Sequence, residues 1–262
     1  MFLTNKMDIF KFPLYYISFN QNRDLEKKCK DLGFTNVNHF KAIDGRKFET
    51  EKLLKDKKIT YRAYSDLLQG RHEHSGIPGL GSIGCSMSHY NLWKKCVDNN
   101  FPYIIVLEDD VSLPNKISRY VLKKISEPLY KPNGLFVSAT IKRGNKIPEF
   151  QGSQFCILSN GACKELIKNI YPIDMQVDYY MSLTSKKANL SLEGYKFAGQ
   201  KIHKSSIQDF CVKCSLPKGY LFYISSLVVS IIFFSFLFIS WRKCNSKFAK
   251  CTISLQACEK KK

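Results

Sequence analysis

Acidic residues are scarce: 22 Asp and Glu stand against 41 Lys and Arg, a formal net charge of +19 over 262 residues. Such a surface draws phosphates, nucleic acid or anionic lipid without choosing among them. No recognised nucleic-acid module accompanies the charge, and much of the excess flanks or follows one apolar run near the C-terminus, so nucleic acid is not an expected partner. Internal repeats and low-complexity linkers are absent before that run. The ten cysteines lie scattered through apolar segments, which excludes a small disulfide framework and predicts reduced, buried thiols. An apolar content of 44% excludes wholesale disorder. A secretory leader is also lacking: Lys6, Asp8 and Lys11 interrupt the first apolar stretch, and no small-residue cleavage site follows.

The stretch GYLFYISSLVVSIIFFSFLFISW (219–241) carries no charge at all. At about 1.5 Å rise per residue it can cross a hydrocarbon core of about 30 Å. Tyr220, Tyr223 and Trp241 lie near its ends, as interfacial aromatics do. The expected organisation is a domain over 1–208, a juxtamembrane linker over 209–218, one transmembrane helix over 219–241 and a basic tail over 242–262. The side of the membrane stays open. Arg242, Lys243, Lys247 and Lys250 outnumber Lys213 and Lys218, which favours a cytosolic tail. The missing leader instead favours a cytosolic domain held by a tail anchor. Cys211-x-x-Cys214 supplies too few ligands for zinc; free thiols or juxtamembrane acylation suit it better.

Before the run, short β-prone segments (12–19, 36–45, 103–107, 135–140 and 153–159) alternate with helical ones (23–34 with Gly33 as the stop, 81–99 and onward from Asn160-Gly161). That order predicts an α/β sheet. Residues 46–80 read as a helix plus a long loop, and Ser82 or Ser86 is placed to cap the helix over 81–99. In YIIVLEDD, Ile104 and Val106 face one way, and Tyr103, Ile105 and Leu107 the other. Both faces are apolar, so this is a central strand covered on both sides. Glu108, Asp109 and Asp110 follow at its C-terminal end, where open α/β sheets bind ligands. With extended backbone, Glu108 and Asp110 project to one side and Asp109 to the other. Two hard carboxylates on one side suit Mn²⁺ or Mg²⁺, which keeps further positions for phosphate oxygens. A solvated acidic turn is the plainer alternative. His89 shares a helical face with Leu92, Trp93 and Cys96, and Cys85 lies one turn earlier. Cys85 and His89 can ligate metal, but no second pair stands at zinc-site spacing, so a buried histidine bonded to a neighbour is the better expectation.

The ordered set of motifs resembles glycosyltransferase family 25. It comprises Ile17-Ser18 with Arg23 downstream, then Ala42-x-Asp44-Gly45, then GSIGCSMSH, then LEDD. FCILSNGACKELI and Val177-Asp178-Tyr179 follow. The resemblance runs over roughly residues 13–208. It implies a GT-A-like nucleotide-sugar-binding fold with a mixed, mostly parallel sheet. It also implies inverting transfer of a sugar, galactose or glucose, from a nucleotide sugar such as a UDP-sugar to a hydroxyl on a glycan, lipid-linked glycan or protein. On that resemblance Asp110 is the first choice as metal ligand, with Glu108 beside it. Ser18, Arg23, Asp44, His89, Glu108 and Asp109 fall in substrate-binding motifs. Inverting transfer needs a base facing the acceptor hydroxyl; Asp178 matches the family's later carboxylate, and Asp174 is the fallback. Gln200 and Ser205 fall in the part that resembles the family's closing motif, and His203 stands where some GT-A enzymes carry a late metal ligand, with a surface histidine as the plainer reading. Ser82 stands where an acidic residue is common, and Asn20 where a basic one is. The alternative is a catalytically degenerate, membrane-bound interaction module of the same fold.

Overall fold

The structure, a computed structural model, describes residues 8–71, 73–142 and 150–201, together with positions 234, 235 and 238. In chain order it forms β1 (Leu14–Ser18), α1 (Arg23–Asp31), β2 (Val37–Lys41), α2 (Thr50–Lys55), α3 (Tyr61–Gln69) and α4 (Leu80–Asp98). Then come β3 (Tyr103–Glu108), β4 (Val111–Ser112), α5 (Arg119–Leu129), β5 (Gly134–Val137), β6 (Phe155–Ser159) and α6 (Asn160–Lys168). The last elements are α7 (Val177–Lys187), β7 (Ser191–Gly194) and β8 (Gly199–Gln200). Six strands make one sheet in the order β2-β1-β3-β6-β5-β7. The β1/β2, β1/β3 and β5/β7 pairs are parallel; β3/β6 and β5/β6 are antiparallel. A mixed, mostly parallel sheet of this kind fits a GT-A-like fold.

The two-faced reading of the central strand holds. Ile104 and Val106 pack with Leu92, Trp93 and Cys96 of α4, Leu166 of α6 and Met181 of α7. Ile105 and Leu107 pack on the opposite side with Leu25 and Cys29 of α1 and Val121, Ile125 and Leu129 of α5. Each such fully buried side chain contributes about 1.5–3 kcal/mol, so the sheet sits between two helical layers that both hold it. Cys29, Cys96, Cys156 and Cys163 are buried and free, as their apolar surroundings predict.

Some local expectations change. Neither Ser82 nor Ser86 caps α4: the helix begins earlier, after Gly79, so both serines lie inside it and are buried. Residues 46–80 hold two helices, α2 and α3. The second strand stops at Lys41, and Asp44 caps a short 3-10 turn, Gly45–Lys47, by accepting from Arg46 N at 3.2 Å.

That turn docks on α4 through one side-chain hydroxyl and two close backbone approaches. Ile43 N donates to Ser88 Oγ at 2.9 Å. A Cβ on Gly45 would stand 1.8 Å from the Leu80 carbonyl oxygen, and one on Gly84 would stand 2.3 Å from the Ile43 oxygen. The Ala-x-Asp-Gly and Gly-Cys motifs therefore meet, and their glycines permit the approach. Gly84→Ala is expected to cost about 3 kcal/mol through overpacking against rigid backbone; urea denaturation, read as the shift in midpoint, measures it.

Among the described residues no helix is long and apolar enough to cross a membrane. The run at 219–241 lies outside them except for positions 234, 235 and 238, which are helical. The chain divides into two compact units, Met1–Cys211 and Val212–Lys262, and the sheet belongs to the first.

Candidate active site

Where β3 ends, the chain turns at Asp109 and Asp110 and re-enters extended structure at β4. β4 pairs antiparallel with β8, placing Val111 opposite Gln200. The turn delivers Glu108 and Asp110 to a polar cavity of about 580 Å³, and Asp109 stays exposed outside its lining. Asp178, in the first turn of α7, reaches the same cavity from a distant part of the chain. Arg71, Lys142 and Lys196 line it too, as do Ser82 and Cys85 of α4. Three carboxylates and three cations thus share one concavity of a size that suits a small-molecule ligand.

Each carboxylate is held differently. Glu108 Oε1 accepts from Ser153 Oγ at 2.5 Å and lies 3.2 Å from Nε2 of the fully buried His89. Facing a carboxylate, that ring nitrogen carries the proton. Burial pushes the Glu108 carboxyl up, but the His89 hydrogen bond and charge, with the Ser153 hydrogen bond, outweigh it and leave the group below its ordinary range. Asp110 Oδ2 accepts from Gln200 Nε2 at 2.6 Å, and its backbone oxygen accepts from Lys201 N at 2.6 Å. Its Oδ1 is buried with no hydrogen-bond partner. Burial, then the Glu108 charge, push Asp110 up, and the same causes raise Asp109. Asp178 Oδ2 accepts from Gly152 N at 3.0 Å and Oδ1 from Tyr179 N at 2.8 Å. Burial raises Asp178 more than these two N–H groups lower it.

One short segment holds two of the three groups. Gly152 gives its N–H to Asp178, Ser153 gives its hydroxyl to Glu108, and the Gln154 carbonyl accepts from Glu108 N at 3.1 Å. Gly152 sits at φ +93°, a conformation that favours glycine. Ser153 was not legible as a site residue: it precedes an ordinary apolar strand, and only pairing of β6 with β3 brings it to Glu108. Ser153→Ala is expected to leave folding intact and to lower turnover about tenfold, because Glu108 loses one of its two anchors. Steady-state kinetics on the variant, with thermal melting as the folding control, checks this.

The sequence-predicted residues divide. Glu108, Asp110 and Asp178 meet at the cavity, and His89 supports Glu108 from beneath. Gln200 of the closing motif anchors Asp110, while His203 and Ser205 lie outside the described residues. Asp174 does not line the cavity; it accepts from Thr60 Oγ1 at 2.5 Å and pairs with Arg62 at 3.4 Å. Ser18 is buried and donates to the Asn20 carbonyl at 2.6 Å. Arg23 is exposed at the start of α1. Asp44 pairs with Arg46 at 2.7 Å, a hydrogen bond that holds its carboxyl below the usual range. None of Ser18, Arg23 and Asp44 lines the cavity. Of the residues that can hold a divalent cation, Asp110 fits best, since it keeps a buried oxygen without a donor. Glu108 Oε1 is already engaged twice.

The profile of glycosyltransferase family 25 (LPS biosynthesis protein) matches residues 13–149, more than half of the chain. The chain belongs to glycosyltransferase family 25. A glycosyltransferase 25 family member of Anopheles gambiae is 37% identical over 99 residues, covering 35% of this chain and 16% of that protein. The lipooligosaccharide biosynthesis protein lex-1 of Haemophilus influenzae is 31% identical over 122 residues, covering 37% of this chain and 40% of that protein. Procollagen galactosyltransferase 2 of mouse is 30% identical over 89 residues, covering 33% and 13%. The match thus spans less than half the length of each of these relatives. The family profile covers Glu108 and Asp110 and ends before Asp178, whose place in the site rests on the geometry above.

Proposed function

We propose that this chain transfers a hexose, galactose or glucose, from a UDP-sugar to an acceptor hydroxyl on a glycan, lipid-linked glycan or protein, with inversion at the anomeric carbon. The observation that carries this reading is the convergence of Asp110, Glu108 and Asp178 on one polar cavity, with Asp110 Oδ1 buried and lacking a partner.

The roles follow from the environments. Asp110 and Glu108 lie beside each other where β3 ends, and a divalent ion, Mn²⁺ or Mg²⁺, held at Asp110 Oδ1 would neutralise the leaving diphosphate. Gln200 fixes Asp110 in place, and His89 with Ser153 fixes Glu108. Arg71, Lys142 and Lys196 supply positive potential over the same cavity and draw the donor's phosphates into it. Asp178 takes the proton of the acceptor hydroxyl. Its carboxyl is raised by burial, which brings its basicity towards that useful at neutral pH. The Gly152 and Tyr179 N–H groups orient its oxygens.

Released nucleoside diphosphate, measured over a panel of nucleotide sugars with Mn²⁺ and the full chain, tests the reading. Turnover of one UDP-sugar above the rest supports it. Nucleotide binding without turnover of any donor, with or without glycan acceptors, would favour the non-catalytic interaction module.

The apolar run at 219–241 is proposed to anchor the chain in a membrane. Expressed in full, the chain is expected to stay with the membrane pellet through alkaline carbonate washing and to enter solution in detergent.

A further inference from the structure

Cys85 and His89 stand four residues apart on α4, a spacing that puts both on one helical face. The strand end supplies what the helix alone lacks. One ligand atom each from Cys85, His89 and Glu108 lies within 4.8 Å of the others. Glu108 Oε1 and His89 Nε2 are 3.2 Å apart, close to the roughly 3.3 Å between N and O ligands of tetrahedral zinc. His89 is fully buried, and its Nδ1 has no hydrogen-bond partner. Cys85 and Glu108 both line the cavity, so an ion has an entry path and a fourth position for water.

We propose that Cys85, His89 and Glu108 form a site for a thiophilic divalent cation such as Zn²⁺, distinct from the oxygen-ligand position at Asp110. Binding exchanges a proton for metal. Zn²⁺ displaces the thiol proton of Cys85 to solvent as the Zn–S bond forms, and the proton that His89 shows to Glu108 moves from Nε2 to Nδ1 as the Zn–N bond forms, so the ring stays a neutral ligand. Burial and the neighbouring carboxylates keep the free thiol protonated, and the same carboxylates favour a cation in its place. Glu108 is common to the two positions, so occupancy by Zn²⁺ draws it away from Asp110.

The test uses the full chain with Co²⁺ as the spectroscopic stand-in, and no sugar donor. The expected result is one equivalent of thiolate-to-Co²⁺ charge-transfer absorption, displaced by Zn²⁺, lost in Cys85→Ser and retained in Asp110→Asn. No such band, or a band that persists in Cys85→Ser, would overturn the site. A second readout needs no variant: Zn²⁺ should slow alkylation of Cys85 by iodoacetamide about tenfold in wild-type protein, mapped by peptide mass. An unchanged rate would also overturn it. Neither readout involves sugar transfer, so failure here and failure of the transferase reading are distinguishable.

Discussion

Asp110→Ala is expected to lower metal-dependent turnover of the donor by about 100- to 1,000-fold, the scale of losing one metal-mediated stabilisation of a leaving diphosphate. The side chain has one oxygen fixed by Gln200 and the other buried without a partner, so it is held ready and not yet satisfied. Removing it also removes a carboxylate that burial and the Glu108 charge disfavour. The variant should therefore fold at least as stably as wild type, and activity alone should fall. Released nucleoside diphosphate across a Mn²⁺ titration, beside a thermal melt, separates the two effects. Asp110→Asn should behave alike, since the amide keeps the shape without the charge.

Asp178→Asn is expected to reduce transfer by about 100- to 10,000-fold while donor binding stays unchanged, the signature of a lost general base. The pH dependence follows from the direction of the shift. Burial raises the Asp178 carboxyl above its ordinary value, and a base must be ionised to act. The rate should fall as pH drops through that raised value, so the acid limb lies above the usual carboxylate range of about 3.9. The stability sign is opposite to that of a salt-bridged aspartate. A carboxyl raised on folding contributes stability that is fully present below its unfolded value and is lost as pH rises through the folded one. At neutral pH the amide avoids the cost of the buried charge but turns its NH2 towards one of the two N–H donors, Gly152 or Tyr179, so Asp178→Asn should gain in melting temperature relative to wild type as pH rises. The pH-rate profile and melts across the same pH range check both halves.

Much of the architecture was legible because the signals were local. Ile104 to Leu107 announce a strand covered on both faces, and the strand is central for that reason. The carboxylates at its end lie where the side-chain alternation puts them, Glu108 and Asp110 inward and Asp109 outward, although a turn rather than extended backbone does the work. What stayed hidden depends on long-range pairing. Ser153 and Gly152 acquire their roles only when β6 lies against β3. Gln200 acquires its role only when β8 reaches β4. Asp174 and Asp178 are neighbours in sequence, yet Thr60 and Arg62 hold the first away from the cavity. Asp44 belongs to a motif whose visible job is structural, because its turn packs on α4 through the Ser88 hydroxyl and close backbone approach.

Asp110 and Asp178 share one cavity and are assigned separable tasks, one toward the donor and one toward the acceptor. Donor affinity and transfer rate, measured side by side on Asp110→Ala and Asp178→Asn, test that division most directly. The predicted result is that Asp178→Asn binds the nucleotide sugar with Mn²⁺ as tightly as wild type and does not transfer it. Asp110→Ala should lose the Mn²⁺ dependence of binding itself. Wild-type transfer by Asp178→Asn, or unchanged Mn²⁺-dependent binding by Asp110→Ala, would contradict the account.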